Sequence, residues 1–240
     1  MCTVLFIPVP DKIILVSLRD ESPERQRALH PQLFNGNNML SLYPQDQSAG
    51  GTWVGANHKG TIIILLNGGF VCHKRRSSYA KSRGLIVTEL LSAIEPVSAW
   101  AHLDLSDIEP HTLVVWHNKQ LFHLTWDGTA SYVIEKDKST GHIWSSSTLY
   151  DEKASLIRKQ WFDDWMKYAE SYDSQKLLEF FCASGDTHSG FIINRNEVVK
   201  TLSMSFIEAK ENEISYRYHD LATDEITNHL LKISAPITWP

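Results

Sequence analysis

The sequence predicts an α+β fold in which helices are layered on antiparallel sheets. Short runs rich in Val, Ile and Leu follow one another across turn sequences, as β-hairpins require; these runs cover residues 2–7, 12–18, 52–56, 60–67, 112–117, 120–126, 130–135, 190–194, 197–207 and 213–219. Segments with apolar residues at helical spacing interrupt them at residues 79–94, 152–170 and 173–183. Because the strands come in hairpins rather than singly between helices, an α+β arrangement is favoured over βαβ units.

The composition is that of an ordinary globular protein. The chain has 240 residues, of which 42% are hydrophobic and 21% charged. It shows no internal repeat and no low-complexity linker, so we expect a single domain over residues 1–240. Its net charge of -5 gives no excess of positive charge for nucleic acid, and the one dense basic patch, residues 73–76, is interpreted as a solvated loop.

Membrane and secretion signals are not found in the sequence. The longest apolar run, residues 62–66, is far shorter than the roughly 18 residues of a membrane span. The N-terminus lacks the basic region and apolar stretch of a signal peptide. Cys2, Cys72 and Cys182 form an odd, sparse set, unlike a disulfide framework. We therefore expect a cytoplasmic protein without a membrane span.

Cys2 is the candidate nucleophile. Methionine aminopeptidases remove Met1 when the second side chain is small, which would leave Cys2 with a free α-amine. An α-amine has a pKa of about 7.7–8.0, so it can take the proton of the thiol in the same residue near neutral pH. A thiolate is also a stronger nucleophile than the hydroxyl groups that proteins use.

The predicted first hairpin brings charged residues beside Cys2. Antiparallel pairing of the first two strands about a proline-containing turn places Cys2 opposite Ser17 or Leu18. Arg19 and Asp20 follow directly. Arg19 could stabilise the thiolate and Asp20 could orient the α-amine. The alternative interpretation is a surface turn whose charges are solvated.

Four segments of the sequence form a recognisable set: Met1-Cys2, Leu18-Arg19-Asp20-Glu21, Gly50-Gly51-Thr52-Trp53-Val54-Gly55 and Leu66-Asn67. Together they resemble the NRDE family, named after an Asn-Arg-Asp-Glu motif. The family includes the transport and Golgi organisation protein 2 homologues and is similar to the N-terminal nucleophile (Ntn) hydrolases. The resemblance is good over residues 1–95, looser over 110–150 and partly regained over 187–207. It implies a four-layer αββα sandwich of two mainly antiparallel sheets covered by helices.

The resemblance also implies a set of site residues. Cys2 matches the nucleophile, and Arg19 and Asp20 match the Arg-Asp pair that supports it. Asn67 ends a strand where the family places an oxyanion-hole Asn. Gly68 and Gly69 follow, permit close approach of the backbone and could add an N–H donor. The same Asn-Gly-Gly sequence could also be a plain turn.

Some positions depart from the family pattern. Leu18 replaces Asn, at a position that we interpret as a strand residue. Related hydrolases commonly carry a second polar Asn after the central strands, where this chain has a serine run and Ser146 is the candidate substitute. Family members often show Thr-Arg where this chain has Thr187-His188, so His188 is the candidate site residue there.

No metal or cofactor is expected. His111, His117 and His123 are spaced by six residues and His142 follows, but no pair has the spacing of a known zinc motif. The chain also lacks a phosphate-binding or dinucleotide-binding glycine loop and a Gly-x-Ser-x-Gly nucleophile elbow.

The resemblance implies hydrolysis of a non-peptide C–N amide bond of a small molecule, with Cys2 as nucleophile after removal of Met1. Segments 22–50 and 70–82 are expected to be loops that shape the substrate pocket. The alternative is a non-catalytic binding or handling protein on the same fold, related to lipids, haem or trafficking. The departures at Ser146 and His188 favour this alternative.

Overall fold

The computed structural model describes residues 3–234. In chain order its strands are β1 (Thr3–Val9), β2 (Lys12–Glu21), β3 (Leu29–Gly36), β4 (Met39–Gln45), β5 (Val54–Asn57), β6 (Ile62–Asn67), β7 (His111–His117), β8 (Gln120–Trp126), β9 (Ser131–Lys136), β10 (His142–Ser145), β11 (Asn194–Arg195), β12 (Val199–Ala209), β13 (Glu213–Asp220) and β14 (Glu225–Lys232). The helices are α1 (Arg83–Leu91), α2 (Pro96–Ala101), α3 (Glu152–Tyr168) and α4 (Ser174–Ala183).

The strands form two antiparallel sheets of seven strands each. One sheet has the order β10-β1-β2-β12-β13-β14, with the two-residue β11 beside β12; the other has the order β3-β4-β5-β6-β7-β8-β9. The first hairpin therefore lies between β10 and β12, which come from much later in the chain. This placement surrounds the start of β1 with residues that are distant in sequence.

The alternation of side chains along β1 explains the layers. Val4 and Phe6 belong to the core cluster shared by the two sheets, whereas Leu5 and Ile7 belong to a second cluster that includes Phe162 of α3. Successive residues of a strand face opposite sides, so β1 contributes to both cores. On the outer face of the other sheet, α1 packs on β5 and β6. The predicted four-layer α+β sandwich is confirmed.

The expectation of a loop over residues 22–50 is wrong, because this segment holds the hairpin of β3 and β4. The sequence of β3 contains Pro31 and several polar residues, and much of it is exposed, so it lacks the apolar alternation of the other strands. Its turn uses Asn37 and Asn38, both with positive φ, in place of the more recognisable Asn-Gly pair. Residues 190–194 likewise do not form a strand; only the last of them begins the short β11.

The register of the first hairpin differs from the prediction. Leu18 pairs with Thr3 and Ser17 pairs with Val4, so the two residues expected opposite Cys2 pair with the next residues of the chain. Cys2 itself lies outside the described residues. Among residues 3–234, no helix is both long and apolar enough to cross a membrane.

Candidate functional site

A buried arginine holds the start of β1. Arg158 is fully buried on α3, and its Nη2 donates a hydrogen bond to the hydroxyl of Thr3, the first described residue. Its Nε donates to Ser145 Oγ at 3.2 Å. The guanidinium also stacks on Tyr150, with its carbon 4.0 Å from the ring centre, and on Phe191 at 4.4 Å. These contacts fix the position of Thr3 on the face of β1 toward α3.

Asp20 is anchored by two hydroxyl groups. Its side chain is buried; Tyr150 donates its phenolic hydrogen to Oδ2 at 3.0 Å, and Thr201 donates to Oδ1 at 2.7 Å. Thr201 pairs with Asp20 across β12 and β2. Hydrogen bonds to an ionised carboxylate are stronger than neutral ones. Asp20 is therefore held in one orientation on β2, two residues after the partner of Thr3.

Arg19 projects to the opposite face of β2 from Asp20, as strand alternation requires. Its Nη2 donates to Asp46 Oδ2 at 2.9 Å, and its guanidinium carbon lies 4.1 Å from the ring centre of Trp53. Burial lowers the pKa of Arg19, against the charge of Asp46, which raises it. Burial alone would raise the pKa of Asp46, but the hydrogen bond from Arg25 and the charges of both arginines hold it below its ordinary value. Trp53 is buried, as expected.

Asn67 lies where two cavities adjoin. A cavity of about 320 Å³ is lined by Asn67 together with Arg19 and Trp53. A second cavity, of about 720 Å³, is lined by Asn67 together with Trp144 and other residues of the segment from β10 to α3. The backbone carbonyl of Asn67 accepts a hydrogen bond from Ser146 at 2.8 Å. Within residues 3–234, no hydrogen bond to its side-chain amide is found, so that group can serve a ligand.

The structure corrects the expected role of Gly68 as an N–H donor. Its N–H donates to the carbonyl of Pro110 at 3.0 Å, and its own carbonyl accepts from Thr112 Oγ1 at 3.1 Å. The residue has φ +84°, and a Cβ there would stand 2.2 Å from Ser147 Oγ. Glycine is therefore required at this position for backbone conformation and close packing, and its N–H is already used.

Ser146 and His188 lie in different surroundings. Ser146 is buried, and its hydroxyl donates to the carbonyl of Asn67 at 2.8 Å and contacts Thr148 Oγ1 at 2.9 Å, so it positions Asn67 and lines the larger cavity with it. His188 is exposed on a loop and lines neither cavity. Its backbone carbonyl accepts from Arg195 Nε at 2.8 Å. The structure does not bring the imidazole of His188 to the other site residues.

The sequence interpretation missed Arg158, Tyr150 and Thr201. Tyr150 is separated from Asp20 by 130 positions and Thr201 by 181, and nothing local marks either residue. Arg158 carries a detectable signal, because it lies four residues before the buried Phe162 on the apolar face of α3. A charged residue on that face indicates a buried polar contact.

The histidines of the central strands serve the core. Burial lowers the pKa of His111 to about 4 and that of His123 to about 4, so both are neutral near pH 7. His111 packs edge-on against Trp100, with ring centres 5.3 Å apart. His117 contacts Thr61 Oγ1 at 2.9 Å. Within the described range, no group of three or more His, Cys, Asp or Glu side chains could hold a metal ion.

The fold is shared with solved structures of other proteins. The structure is similar to the conjugated bile acid hydrolase of Clostridium perfringens, at a TM-score of 0.60 and 10% identity over 99% of this chain and 98% of that one. A second variant of that enzyme gives 0.59 and 11% over 95% and 92%. The N-acylethanolamine-hydrolyzing acid amidase ortholog of Caenorhabditis elegans gives 0.58 and 12% over 86% and 92%.

At these identities the likeness establishes a shared fold. The family follows from the sequence: the model of the family described as Transport and Golgi organisation 2 matches residues 1–229. The chain belongs to this family, which confirms the resemblance read from the motifs. No curated protein matches the chain significantly.

Proposed function

We propose that this protein, built as one domain over residues 1–240, hydrolyses a non-peptide C–N amide bond of a small molecule. The observation that best supports the proposal is the set of contacts around Thr3, the residue bonded to Cys2. Thr3 pairs with Ser145 of β10, and the next residue, Ser146, holds the carbonyl of Asn67. Asn67, the candidate oxyanion donor, is therefore connected through Ser146 and Ser145 to Thr3, the neighbour of the nucleophile Cys2.

The proposed reaction has two halves. The Cys2 thiolate attacks the amide carbonyl carbon, and the α-ammonium, which has taken the thiol proton, passes that proton to the leaving nitrogen as the C–N bond breaks. An acyl thioester results. Water then gives a proton to the amine and attacks the thioester, releasing the acid and restoring the thiol. The Asn67 amide donates to the carbonyl oxygen in both tetrahedral intermediates.

Two buried charges support Cys2 in this proposal. Arg19 is buried and follows Leu18, the partner of Thr3, and it is proposed to act on Cys2 from the end of the first hairpin. A nearby cation favours the thiolate over the thiol. Asp20, fixed by Tyr150 and Thr201, is proposed to orient the α-ammonium. The reaction requires removal of Met1, because an acylated nitrogen cannot act as a base.

The test is turnover of a panel of N-acyl amides, with release of the amine followed by mass spectrometry. Cys2→Ala is expected to abolish turnover and leave the melting temperature unchanged. Cys182→Ala is the matched control, since its thiol is exposed and free and lines neither cavity, and it should retain activity. Turnover by Cys2→Ala at the rate of the parent would refute the proposal.

A binding protein on the same scaffold is the second candidate. It is favoured by one observation: the N–H of Gly68 is occupied by Pro110, so this N–H cannot serve as the expected oxyanion donor. Alkylation by iodoacetamide distinguishes the two. A catalytic Cys2 should react faster than Cys72 and Cys182 at neutral pH, whereas a binding protein needs no such selectivity.

The cytoplasm is the proposed location. Cys72 and Cys182 are exposed without a disulfide between them, as in proteins of reducing compartments. A catalytic thiolate also needs such a compartment, because oxidation would remove the nucleophile.

A further inference from the structure

One wall of the smaller cavity is rich in arginine. The lining includes Arg19 and Arg25 on one side and Arg75, Arg76 and Arg83 on the other. Among residues 3–234, the lining counts six cationic side chains, with Lys81 the sixth, and three carboxylates, Glu21, Asp46 and Glu109. The whole chain has a net charge of -5, so this local excess of positive charge stands against the overall balance.

The outer arginines are tethered around one carboxylate. Glu109 is 3.3 Å from Arg83, 3.4 Å from His73 and 3.7 Å from Arg75. One carboxylate offers about four lone-pair sites, while each guanidinium carries five N–H donors. Glu109 therefore cannot satisfy every donor of Arg75 and Arg83. The basic run 73–76 is a largely exposed loop, as expected, and its Arg75 and Arg76 line the cavity.

Arg75 and Arg76 keep donors directed to solvent. The side chain of Arg75 is 78% exposed and that of Arg76 50% exposed. Arg76 is also pre-positioned, because its guanidinium carbon lies 4.4 Å from the ring centre of Tyr79 and its Nη2 contacts Asp107 at 2.6 Å. Guanidinium groups in fixed orientations bind carboxylates and phosphates through paired hydrogen bonds.

The burial of Arg83 favours the binding of an anion beside it. Burial lowers the pKa of Arg83, against the charge of Glu109, which raises it. A buried guanidinium that shares its carboxylate with a second arginine, Arg75, is incompletely neutralised. An anion entering the cavity would offset the cost of desolvating Arg83.

We propose that the wall formed by Arg75, Arg76 and Arg83 binds the anionic group, a carboxylate or a phosphate, of the substrate. Because Asn67 lines the same cavity, a molecule with its amide at Asn67 can extend its anionic end to this wall. The assignment of the anion to a substrate rests on the proposed function. The anion site itself is defined by the arginines.

The test uses the full chain with Cys2→Ala, so that binding is measured without turnover. Inorganic phosphate and acetate are titrated separately by calorimetry at constant ionic strength. Arg75→Gln combined with Arg76→Gln is expected to raise Kd about tenfold or more, since a charge-assisted hydrogen bond contributes at least that factor. Arg217→Gln is the matched control and should bind the anions like the parent, because Arg217 lies on β13 and contacts Asn228 on β14.

Tighter binding of phosphate identifies a phosphate group, and tighter binding of acetate identifies a carboxylate. The proposal is overturned if neither anion binds, if the double variant binds as tightly as the parent, or if Arg217→Gln loses as much affinity. Failure of the amide panel with intact anion binding would refute the proposed reaction alone.

Discussion

Removal of one hydroxyl tests whether Asp20 is held as described. Tyr150→Phe deletes the donor that contacts Asp20 Oδ2 at 3.0 Å and keeps the aromatic ring that stacks on Arg158. Thr201 still donates to the other oxygen. The variant therefore removes a hydrogen bond to a buried carboxylate and keeps the ring.

The expected cost follows from the charge of the acceptor. A hydrogen bond to a charged group contributes about 1.5–3 kcal/mol, against about 0.5–1.5 kcal/mol for a neutral pair. Tyr216→Phe is the matched control, since its buried hydroxyl contacts the neutral Ser205 at 2.9 Å. In a chain of this size, about 1 kcal/mol lowers Tm by roughly 2–4 °C. With about 2 kcal/mol for Tyr150→Phe and about 1 kcal/mol for Tyr216→Phe, both within these ranges, we expect Tm to fall by about 4–8 °C and about 2–4 °C.

The assay is thermal unfolding at pH 7, followed by near-ultraviolet circular dichroism. Turnover on any substrate found in the amide panel should fall in Tyr150→Phe and persist in Tyr216→Phe, because only Tyr150 contacts Asp20. If Tm falls by the same amount in both variants, or by less in Tyr150→Phe, Asp20 is not the buried carboxylate acceptor that the structure indicates.

Two further predictions concern stability. In urea titrations, Gly68→Ala should lower the free energy of unfolding by more than about 1 kcal/mol relative to Gly50→Ala. Both glycines have positive φ, but of the two only a Cβ at Gly68 meets a neighbour, Ser147 Oγ. Equal losses of stability would contradict this reasoning. Burial lowers the pKa of His111 from 6.5 to about 4. As pH falls, the unfolded chain therefore binds a proton at this histidine before the folded chain does. The folded state should lose up to about 3 kcal/mol of stability between pH 6.5 and 4. His111→Gln should flatten this part of the pH profile, and an unchanged profile would exclude His111 as its source.

The layers of the fold could be predicted because the information is local. The first hairpin follows from two apolar runs around a proline turn, and its sequence also carries Arg19 and Asp20. The hairpin of β3 and β4 could not be predicted in the same way. Its strands are polar and partly exposed, and its turn depends on Asn37 and Asn38 adopting positive φ.

The positions of the candidate site residues on the strands could be predicted better than their contacts. Asp20 lies on β2 and Asn67 ends β6, as the motifs suggested. Thr201 reaches Asp20 through the pairing of β12 with β2, and Tyr150 reaches it from the segment after β10, which pairs with β1. The N–H of Gly68 appeared available because a sequence does not reveal that Pro110 accepts it. Hydrogen-bond partners across a sheet depend on register, which local patterns do not specify.

The proposed mechanism requires Cys2 to be an N-terminal nucleophile with a free α-amine. The most direct test is the intact mass of the protein purified from its native host. We predict a mass lower than that of the full sequence by one methionine residue. Fragmentation of the protein in the mass spectrometer should then show Cys2 at the N-terminus. A mass that retains Met1 would leave the nitrogen of Cys2 an amide and would contradict the proposed mechanism.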